Sequence, residues 1–323
     1  MAETEQSEQP GESDVSRRVW RQLAAAPRAA LEQGLSPADL QTALLDVSRR
    51  RAAAVTPARL LQRWRQDRYV RPAVTDPRQL WRLEARLWAL LPDEFAGLEL
   101  SPAAPLGTSS ALGPVSQDRV ITTTRGTEVV SDLTNVLAVE AAVRRRPGSQ
   151  PGSQPGSPAV SLAACHRVLR GQPFGPGMSQ HFRLFALVTS ARDRGSARTE
   201  AAMLTAHLQF WARALSELLP ARPVALRYTV FDFPPLRDRL RDTVLPALQP
   251  LPGRIAVEED ADRERARGYY QRGALRIDAA AEAGWQEVGD GGFTDWTARL
   301  LNDAKERCLI SCVSTERLAA LAG

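Results

Sequence analysis

Arginine side chains in the middle of the chain have a spacing that could hold a phosphate. The stretch from Cys165 to Thr189 predicts two strands, because His166 to Arg170 mixes polar with apolar residues and His181 to Val188 is rich in strand-forming residues. The Gly/Pro-rich residues 171–177 between them indicate an irregular loop. Arginines on both arms of such a hairpin could bind a phosphorylated ligand through paired hydrogen bonds. The alternative is an ordinary antiparallel hairpin whose basic residues are solvated.

The composition limits the classes of protein to consider. With 323 residues, 43% of them hydrophobic, the chain is expected to form two domains, or one large domain with an appendage. It has no apolar run long enough to predict a transmembrane helix. Residues 1–14 are polar and acidic, unlike a secretion signal, and are expected to be a disordered tail. Three cysteines suit the reducing cytoplasm, and their spacing predicts no metal site.

Arginine is abundant along the whole chain. Lys305 is the only lysine among 42 basic residues, a pattern that indicates a GC-rich coding bias. The number of arginines is therefore weak evidence for phosphate binding, and only arginines placed within a motif are informative.

Residues 15–72 are predicted to form a helical N-terminal region. Ser36-Pro37 and Thr56-Pro57 have the pattern of helix N-termini. The last of these helices and its end carry basic and aromatic residues: Arg59, Arg63, Trp64, Arg65, Arg68 and Tyr69. This mixture could contact nucleic acid. The alternative is a small helical domain with solvated arginines and a buried tryptophan.

Residues 76–323 are predicted to form an α+β core, in which an antiparallel β-sheet is flanked by helices. The local pattern predicts helices over 76–91, over 199–219 and from Thr127, a strand over 118–125 and a glycine-rich turn over 289–293. A Pro/Gly/Ser/Gln repeat at 147–158 predicts a flexible surface loop within this core.

The order of short motifs in this core resembles the catalytic core of the class II aminoacyl-tRNA synthetases, in particular the histidyl-tRNA synthetase-like branch. The second family signature is an arginine on a strand, then a loop, then Arg or His with a following aromatic residue. Arg167 and the run from His181 to Phe185 resemble it. The third signature is a strand that leads into a helix starting with Glu-Arg, and Glu316-Arg317 is similar to it.

Two further segments resemble the histidyl branch. One is Arg265 to Tyr270, which ends in a Tyr-Tyr pair and is followed by Gly291-Gly292. The other is Arg125 to Glu128, which is similar to the family segment where a Thr and a Glu contact the amino group of the amino acid.

The resemblance implies a six-stranded antiparallel sheet that binds ATP, Mg²⁺ and an amino acid. The implied catalytic residues are Arg167 and either Arg265 or Arg267; the ATP-binding residues are Arg167, His181, Phe185, Glu316 and Arg317; and the amino-acid-binding residues are Arg125, Thr127, Glu128, Tyr269 and Tyr270. In this scheme Arg167 contacts the α-phosphate, Phe185 stacks on adenine and Arg317 holds the γ-phosphate. Such cores usually dimerise, so the resemblance also implies a homodimer through residues 78–103.

Two departures from the family pattern leave the function open. Leu169 stands where the second signature usually has a Glu, and Ser314 replaces a glycine that lets ATP approach the backbone. One possibility is ATP-dependent activation of an amino acid or related carboxylate through an aminoacyl-adenylate, without anticodon recognition. Another is a non-catalytic paralogue that acts as an amino-acid-sensing regulatory or assembly subunit, with a partner enzyme or acceptor protein. Binding of tRNA or another nucleic acid by the N-terminal helices is a third.

Overall fold

The computed structural model describes residues 14–23, 25–146, 159–175 and 178–322. The predicted tail at 1–14 lies outside these ranges except for Asp14, and the predicted loop at 147–158 lies outside them completely. The chain divides into two compact units. Unit 1 comprises Met1–Pro72, Ala103–Ser131 and Leu169–Gln180, and unit 2 comprises Ala73–Pro102, Asp132–Val168 and His181–Gly323. The predicted division into 15–72 and 76–323 stays a prediction.

The α-helices and strands of the described ranges are as follows, besides π-helical segments at Ala30–Gly34 and Leu240–Val244 and a 3₁₀ turn at Gln117–Arg119. The helices are α1 (Asp14–Gln22), α2 (Ala25–Ala29), α3 (Pro37–Ala53), α4 (Pro57–Gln66), α5 (Pro77–Leu90), α6 (Thr108–Leu112), α7 (Leu133–Arg145), α8 (Arg198–Leu218), α9 (Pro234–Arg239), α10 (Leu245–Ala247), α11 (Trp296–Leu301) and α12 (Thr315–Ala322). The strands are β1 (Phe95–Leu98), β2 (Ala103–Pro105), β3 (Thr127–Val129), β4 (Val160–Leu169), β5 (His181–Arg192), β6 (Val224–Val230), β7 (Ile255–Glu259), β8 (Gln271–Ala281), β9 (Gly284–Thr294) and β10 (Glu306–Ser314). None of the described helices combines the length and hydropathy needed to cross a bilayer.

In unit 1, α3 and α4 begin where the sequence predicts. Ser36 Oγ accepts the N–H of Asp39 at 3.2 Å, and Thr56 Oγ1 accepts the N–H of Arg59 at 3.4 Å. A proline is the first residue of each helix. Neither helix, nor α1, contains a buried residue. The expectation of a buried tryptophan is therefore wrong, because 51% of Trp64 is exposed.

The segment at 118–125 is a series of turns, so the predicted strand is wrong. It includes a single 3₁₀ turn and only an isolated bridge at Thr122. Gly126, with a φ of 65°, then reverses the chain, and β3 pairs antiparallel with β2. The β-branched residues here lead into this turn, and Thr122 bridges Glu128 at a single position, since β3 takes β2 as its strand partner.

The helix predicted from Thr127 begins at Leu133 as α7, so that prediction is also wrong. Thr127 belongs to β3 and pairs with Pro105. The helix begins after Asp132, whose Oδ1 accepts the N–H of Thr134 at 2.9 Å. Strand pairing thus overrides a local pattern that also suits a helix N-terminus.

Unit 2 contains an eight-stranded sheet with the order β1-β4-β5-β10-β9-β8-β6-β7. The pairs β5–β10, β10–β9, β9–β8 and β8–β6 are antiparallel, whereas β1 and β7 lie parallel to their neighbours at the two edges. β4 and β5 are the arms of the predicted hairpin, since Ser161 faces Thr189 at one end and Arg167 meets His181 at the other. The predicted antiparallel sheet flanked by helices is confirmed.

Helices pack on both faces of this sheet. Phe185 and Leu187 of β5 belong to the main hydrophobic core, to which α5, α8 and α12 also contribute. Ala186 and Val188 are buried but lie outside this core. Because side chains alternate along a strand, they point to the opposite face. There α7 packs on β5 and β10, and α11 packs on α7.

The glycine-rich segment at 289–293 lies within β9, so the predicted turn is wrong. A Cβ atom on Gly289 would lie 2.4 Å from the carbonyl oxygen of Cys312. One on Gly291 would lie 2.4 Å from the carbonyl oxygen of Ile310. No side chain fits at these distances, so the glycines let β9 run close beside β10.

Candidate functional site

Arg167 lies near the end of β4, and its charge is paired within unit 2. Its Nη2 is 2.9 Å from Oε1 of Glu316, in an ion pair rather than a well-aligned hydrogen bond. Its Nη1 is 2.8 Å from Nδ1 of His181. Only 14% of the Glu316 side chain and 34% of the Arg167 side chain are exposed, so water screens the pair incompletely. The structure therefore brings three predicted ATP-binding residues together, but they bind one another.

Arg317 follows Glu316 at the start of α12 and reaches to a different strand. Its Nη1 donates to the backbone oxygen of Glu287 at 2.8 Å. Its backbone N–H donates to Ser314 Oγ at 3.3 Å, so the serine that replaces a motif glycine caps the helix. No carboxylate of the described chain forms an ion pair with Arg317. Its positive charge is therefore available to an anionic ligand.

Phe185 lies inside the core and is not placed to stack on adenine. Its relative exposure is 0%. The centre of its ring lies 4.8 Å from that of Trp88 and 5.8 Å from that of Phe210. The sequence correctly placed an aromatic residue on the β4–β5 hairpin, but its side chain points to the face of the sheet that α5, α8 and α12 cover.

The predicted Tyr-Tyr pair forms an aromatic cluster against Gly292. The Tyr269 ring lies 4.8 Å from Tyr270 and 5.9 Å from Trp296, measured between ring centres. A Cβ atom on Gly292 would lie 2.5 Å from Cδ1 of Tyr270, so only glycine leaves room for this ring. Burial, together with the nearby charge of Asp290, raises the pKa of Tyr270 well above its usual value. Tyr270 therefore carries a neutral hydroxyl at neutral pH.

Beside Tyr270 lies a charged pair that sequence reasoning missed, Arg263 and Asp290. Arg263 Nη2 donates to Asp290 Oδ1 at 3.0 Å, and its guanidinium lies 5.8 Å from the centre of the Tyr270 ring. Burial raises the pKa of Asp290, although Arg263 opposes the shift. One signal was present in the sequence, since Asp290 is the only acid within the glycine-rich run Gly289–Phe293.

Arg265 and Arg267 both reach solvent. The sequence left open which of the two has the implied catalytic role. Arg265 is 69% exposed and pairs with Glu287 at 2.9 Å. Arg267 is 54% exposed, lies 3.7 Å from Asp232 and packs over the ring of Phe231. Exposed ion pairs of this kind hold a side chain weakly. The geometry does not single out either arginine as the better positioned group.

In unit 1, Glu128 is buried and its carboxylate is already engaged. Its Oε2 accepts hydrogen bonds from the N–H of Gly107 at 2.7 Å and from Nε2 of Gln117 at 2.9 Å. Its Oε1 accepts the N–H of Ser109 at 2.8 Å. Burial acts to raise the pKa of Glu128, but these hydrogen bonds outweigh it and the pKa is lowered. The ionised carboxylate holds the start of α6.

Arg125 and Thr127, which were predicted to bind an amino acid with Glu128, contact a neighbouring threonine instead. The Oγ1 atoms of Thr127 and Thr123 lie 2.7 Å apart, and the backbone N–H of Arg125 donates to Thr123 Oγ1 at 3.1 Å. The Arg125 side chain is exposed. These contacts stabilise the turn that precedes β3.

The residues present do not fit a magnesium ion well. Mg²⁺ in nucleotide sites is usually held by one or two carboxylates together with phosphate oxygens. Leu169 offers no oxygen ligand, and Glu316 is paired with Arg167. The described residues contain no cluster of three or more His, Cys, Asp or Glu side chains that could hold a metal ion.

Solved structures with the same arrangement of helices and strands identify the fold. The apo histidyl-tRNA synthetase of S. aureus matches with a TM-score of 0.53 at 14% identity, over 78% of this chain and 68% of that chain. The chain has a class II synthetase-like fold. An ATP phosphoribosyltransferase regulatory subunit/histidyl-tRNA synthetase from Bacillus halodurans C matches the class II fold of this chain with a TM-score of 0.53 at 10% identity, over 75% of this chain and 80% of that chain.

A threonyl-tRNA synthetase structure, described as an RNA binding domain from Cryptosporidium parvum Iowa II, has a TM-score of 0.55 at 10% identity. The match covers 75% of this chain and 64% of that chain. No protein-family profile and no curated protein matches the sequence. At such low identity the class II likeness concerns the fold alone, so any role of a residue has to be argued from its own surroundings.

Proposed function

We propose that this chain is a non-catalytic protein that uses the class II fold as a regulatory or assembly subunit. The pairing of Arg167 with Glu316 and His181 carries this proposal. Arg167 is the residue that the resemblance assigns to the α-phosphate of ATP, and a nucleotide would first have to displace an internal carboxylate. The burial of Phe185 and the presence of Leu169 in place of an acid support the same conclusion.

The state of Glu128 supports an assembly role more than recognition of an amino acid. Its carboxylate accepts three hydrogen bonds from its own unit, which occupy three of its about four acceptor sites and so disfavour contact with an amino group. The Bacillus halodurans structure is described as an ATP phosphoribosyltransferase regulatory subunit/histidyl-tRNA synthetase, and the first of these two roles is an assembly role. By analogy we propose an enzyme as the partner of this chain, in the cytoplasm that the cysteine usage suggests.

The homodimer that the resemblance implies would form through α5. Trp81 on this helix is 78% exposed, beside a groove of about 530 Å³ lined by Pro77, Arg78, Arg82 and Ala85. Exposed tryptophans beside apolar grooves are typical of interfaces. A two-fold dimer would let Trp81 of each copy occupy the groove of the other.

Amino-acid-dependent exchange of pyrophosphate into ATP tests the absence of catalysis. We expect no exchange with any of the standard amino acids, and no rise in melting temperature when ATP is added. In the Glu316→Gln variant Arg167 loses its competing carboxylate, so ATP should raise the melting temperature of this variant, as expected for binding at least about tenfold tighter, or about 1.4 kcal/mol, than to the unmodified protein.

Glu287→Gln is the matched control, because the carboxylate that it removes forms its ion pair within the described residues with the exposed Arg265 rather than with Arg167. It should leave ATP binding unchanged. Exchange by the unmodified protein with any one amino acid, abolished by Arg167→Gln, would overturn the proposal.

Arg317 favours a second candidate function, ATP-dependent activation of an amino acid or related carboxylate through an aminoacyl-adenylate. The guanidinium of Arg317 has no described ion pair and follows Glu316 directly in sequence. A triphosphate that displaced Glu316 could contact both Arg167 and Arg317. If the protein has this second function, it catalyses measurable exchange of pyrophosphate into ATP, and Arg317→Gln lowers the rate of that exchange at least about tenfold.

A further inference from the structure

A strongly basic surface lies on the N-terminal helices of unit 1, apart from the residues discussed above. Between Arg49 and Arg71 there are eight arginines and one aspartate, a net charge of +7 in a chain whose total is +5. The remainder of the chain is therefore slightly acidic. A general arginine bias does not explain this segment, because elsewhere acidic residues balance the arginines.

Among the described residues, none forms an ion pair or hydrogen bond with an arginine side chain of α4. Arg59, Arg63 and Arg65 are exposed, and the described part of the chain offers their side chains no ion pair or hydrogen bond. On α3, in contrast, Arg49 and Arg50 both pair with Asp46. Within the described residues α4 thus carries three arginines without an ion pair and no acidic residue, whereas on α3 one aspartate offsets two of the arginines.

Trp64 lies between two of these arginines and is 51% exposed. Leu60, one helical turn earlier, is 59% exposed and extends the same apolar strip. Single-stranded nucleic acids expose both base faces and phosphates. An exposed indole can stack on a base, and the guanidinium groups on either side of it can bind phosphates.

Arg68 and Tyr69, which the sequence grouped with this surface, have a different role. Nη2 of Arg68 and the hydroxyl of Tyr69 both donate to the backbone oxygen of Gly171, at 2.8 Å and 3.0 Å. They attach the end of α4 to its own unit. The helix is therefore held in place while its other basic side chains remain in solvent.

We propose that α4 binds single-stranded nucleic acid, with Arg59, Arg63 and Arg65 on backbone phosphates and Trp64 stacked on a base. Arg59 and Arg63 are one turn apart on one side of the helix, so they can contact successive phosphates. A single strand suits Trp64 better than a duplex, because its bases are free to stack on a side chain. A membrane surface suits α4 less well, since a ten-residue helix buries little apolar area.

Fluorescence anisotropy of the full chain with a labelled single-stranded RNA of about 15 nucleotides tests this proposal, over about 50–200 mM salt. Affinity should fall as salt rises. The variant Arg59→Gln/Arg63→Gln/Arg65→Gln removes three phosphate contacts, so the slope of log K against log salt should decrease in magnitude by about 2. Trp64→Ala should weaken binding about tenfold with an unchanged slope, because stacking releases no counterions.

The matched control is Arg17→Gln/Arg18→Gln/Arg21→Gln, which removes the same charge from α1. It should change the slope by less than half as much, and circular dichroism should show unchanged helix content in every variant. Absence of RNA binding at low salt, or an equal loss in the control, overturns the proposal. So does tighter binding to polyglutamate, which would indicate an acidic protein partner, or to phosphatidylserine vesicles, which would indicate a membrane surface.

Discussion

Glu84 on α5 joins three elements of unit 2, and its replacement should destabilise that unit measurably. Arg183 of β5 donates to both of its carboxylate oxygens, at 2.7 Å and 2.9 Å, and the Thr315 hydroxyl at the start of α12 donates at 3.0 Å. The side chain of Glu84 is only 7% exposed, and that of Arg183 is 28% exposed. Removing one member of a buried pair typically costs about 3–5 kcal/mol, because the other charge is left desolvated.

Because Arg183 is partly exposed, the expected cost of Glu84→Gln lies just below this range, at about 2–3 kcal/mol of unfolding free energy. For a unit of this size that corresponds to a fall of roughly 5–10 °C in melting temperature. Urea unfolding followed by circular dichroism measures the free energy. Arg183→Met should cost a similar amount, and the double variant should cost about 2 kcal/mol less than the sum of the two single variants.

Arg78→Gln is the control on the same helix, since its pair with Asp76 is exposed and should contribute less than about 0.5 kcal/mol. A cost below about 1 kcal/mol for Glu84→Gln would refute this account. So would additivity of the Glu84 and Arg183 substitutions, because it would show that the pair does not couple α5 to the sheet.

Three further outcomes follow from other sites. Burial lowers the pKa of His207 to about 3, so protonation of this residue favours the unfolded chain once the pH falls below about 6.5. Between about pH 7 and pH 5 the unmodified protein should therefore lose about 2 kcal/mol more unfolding free energy than the His207→Gln variant. Equal losses in the two proteins would contradict this expectation. Gly292→Ala places a methyl group against the Tyr270 ring and should lower the free energy of unfolding by about 1–3 kcal/mol. Gly175→Ala, where a Cβ meets open space, should leave it unchanged. Calorimetry measures both variants, and equal melting temperatures would count against close packing of Tyr270 on Gly292. Trp81→Glu should convert the proposed dimer to a monomer in light scattering without lowering the melting temperature of the monomer, and an unchanged mass would exclude α5 as the interface.

Some elements of the fold could be predicted because their signals in the sequence are local. Ser36 and Thr56 mark helix starts by their own side-chain chemistry, and the structure shows both caps. The two arms of the hairpin also follow from residues close together in the chain. By contrast, the glycines of β9 were misinterpreted as a turn, since their reason lies in the backbone of β10, which comes later in the sequence.

The candidate site was predicted less well, because its residues depend on partners distant in sequence. Glu128 is bound by the backbone N–H groups of Gly107 and Ser109, and no local sequence pattern predicts those hydrogen bonds. Arg263 and Asp290 were missed for the same reason, since 27 residues separate the two members of the pair.

The sequence by itself determined which hairpin carries the arginine and aromatic side chains of the second signature, and which helix starts with Glu-Arg. Only the tertiary structure decided the direction of those side chains. Successive residues of a strand point to opposite faces, so a motif match that is correct along the chain does not establish which face a residue occupies. Phe185 consequently lies in the core, and Arg167 meets Glu316 at the start of α12. The physical reason is that burial and charge pairing are decided between elements, whereas a motif describes residues within one element.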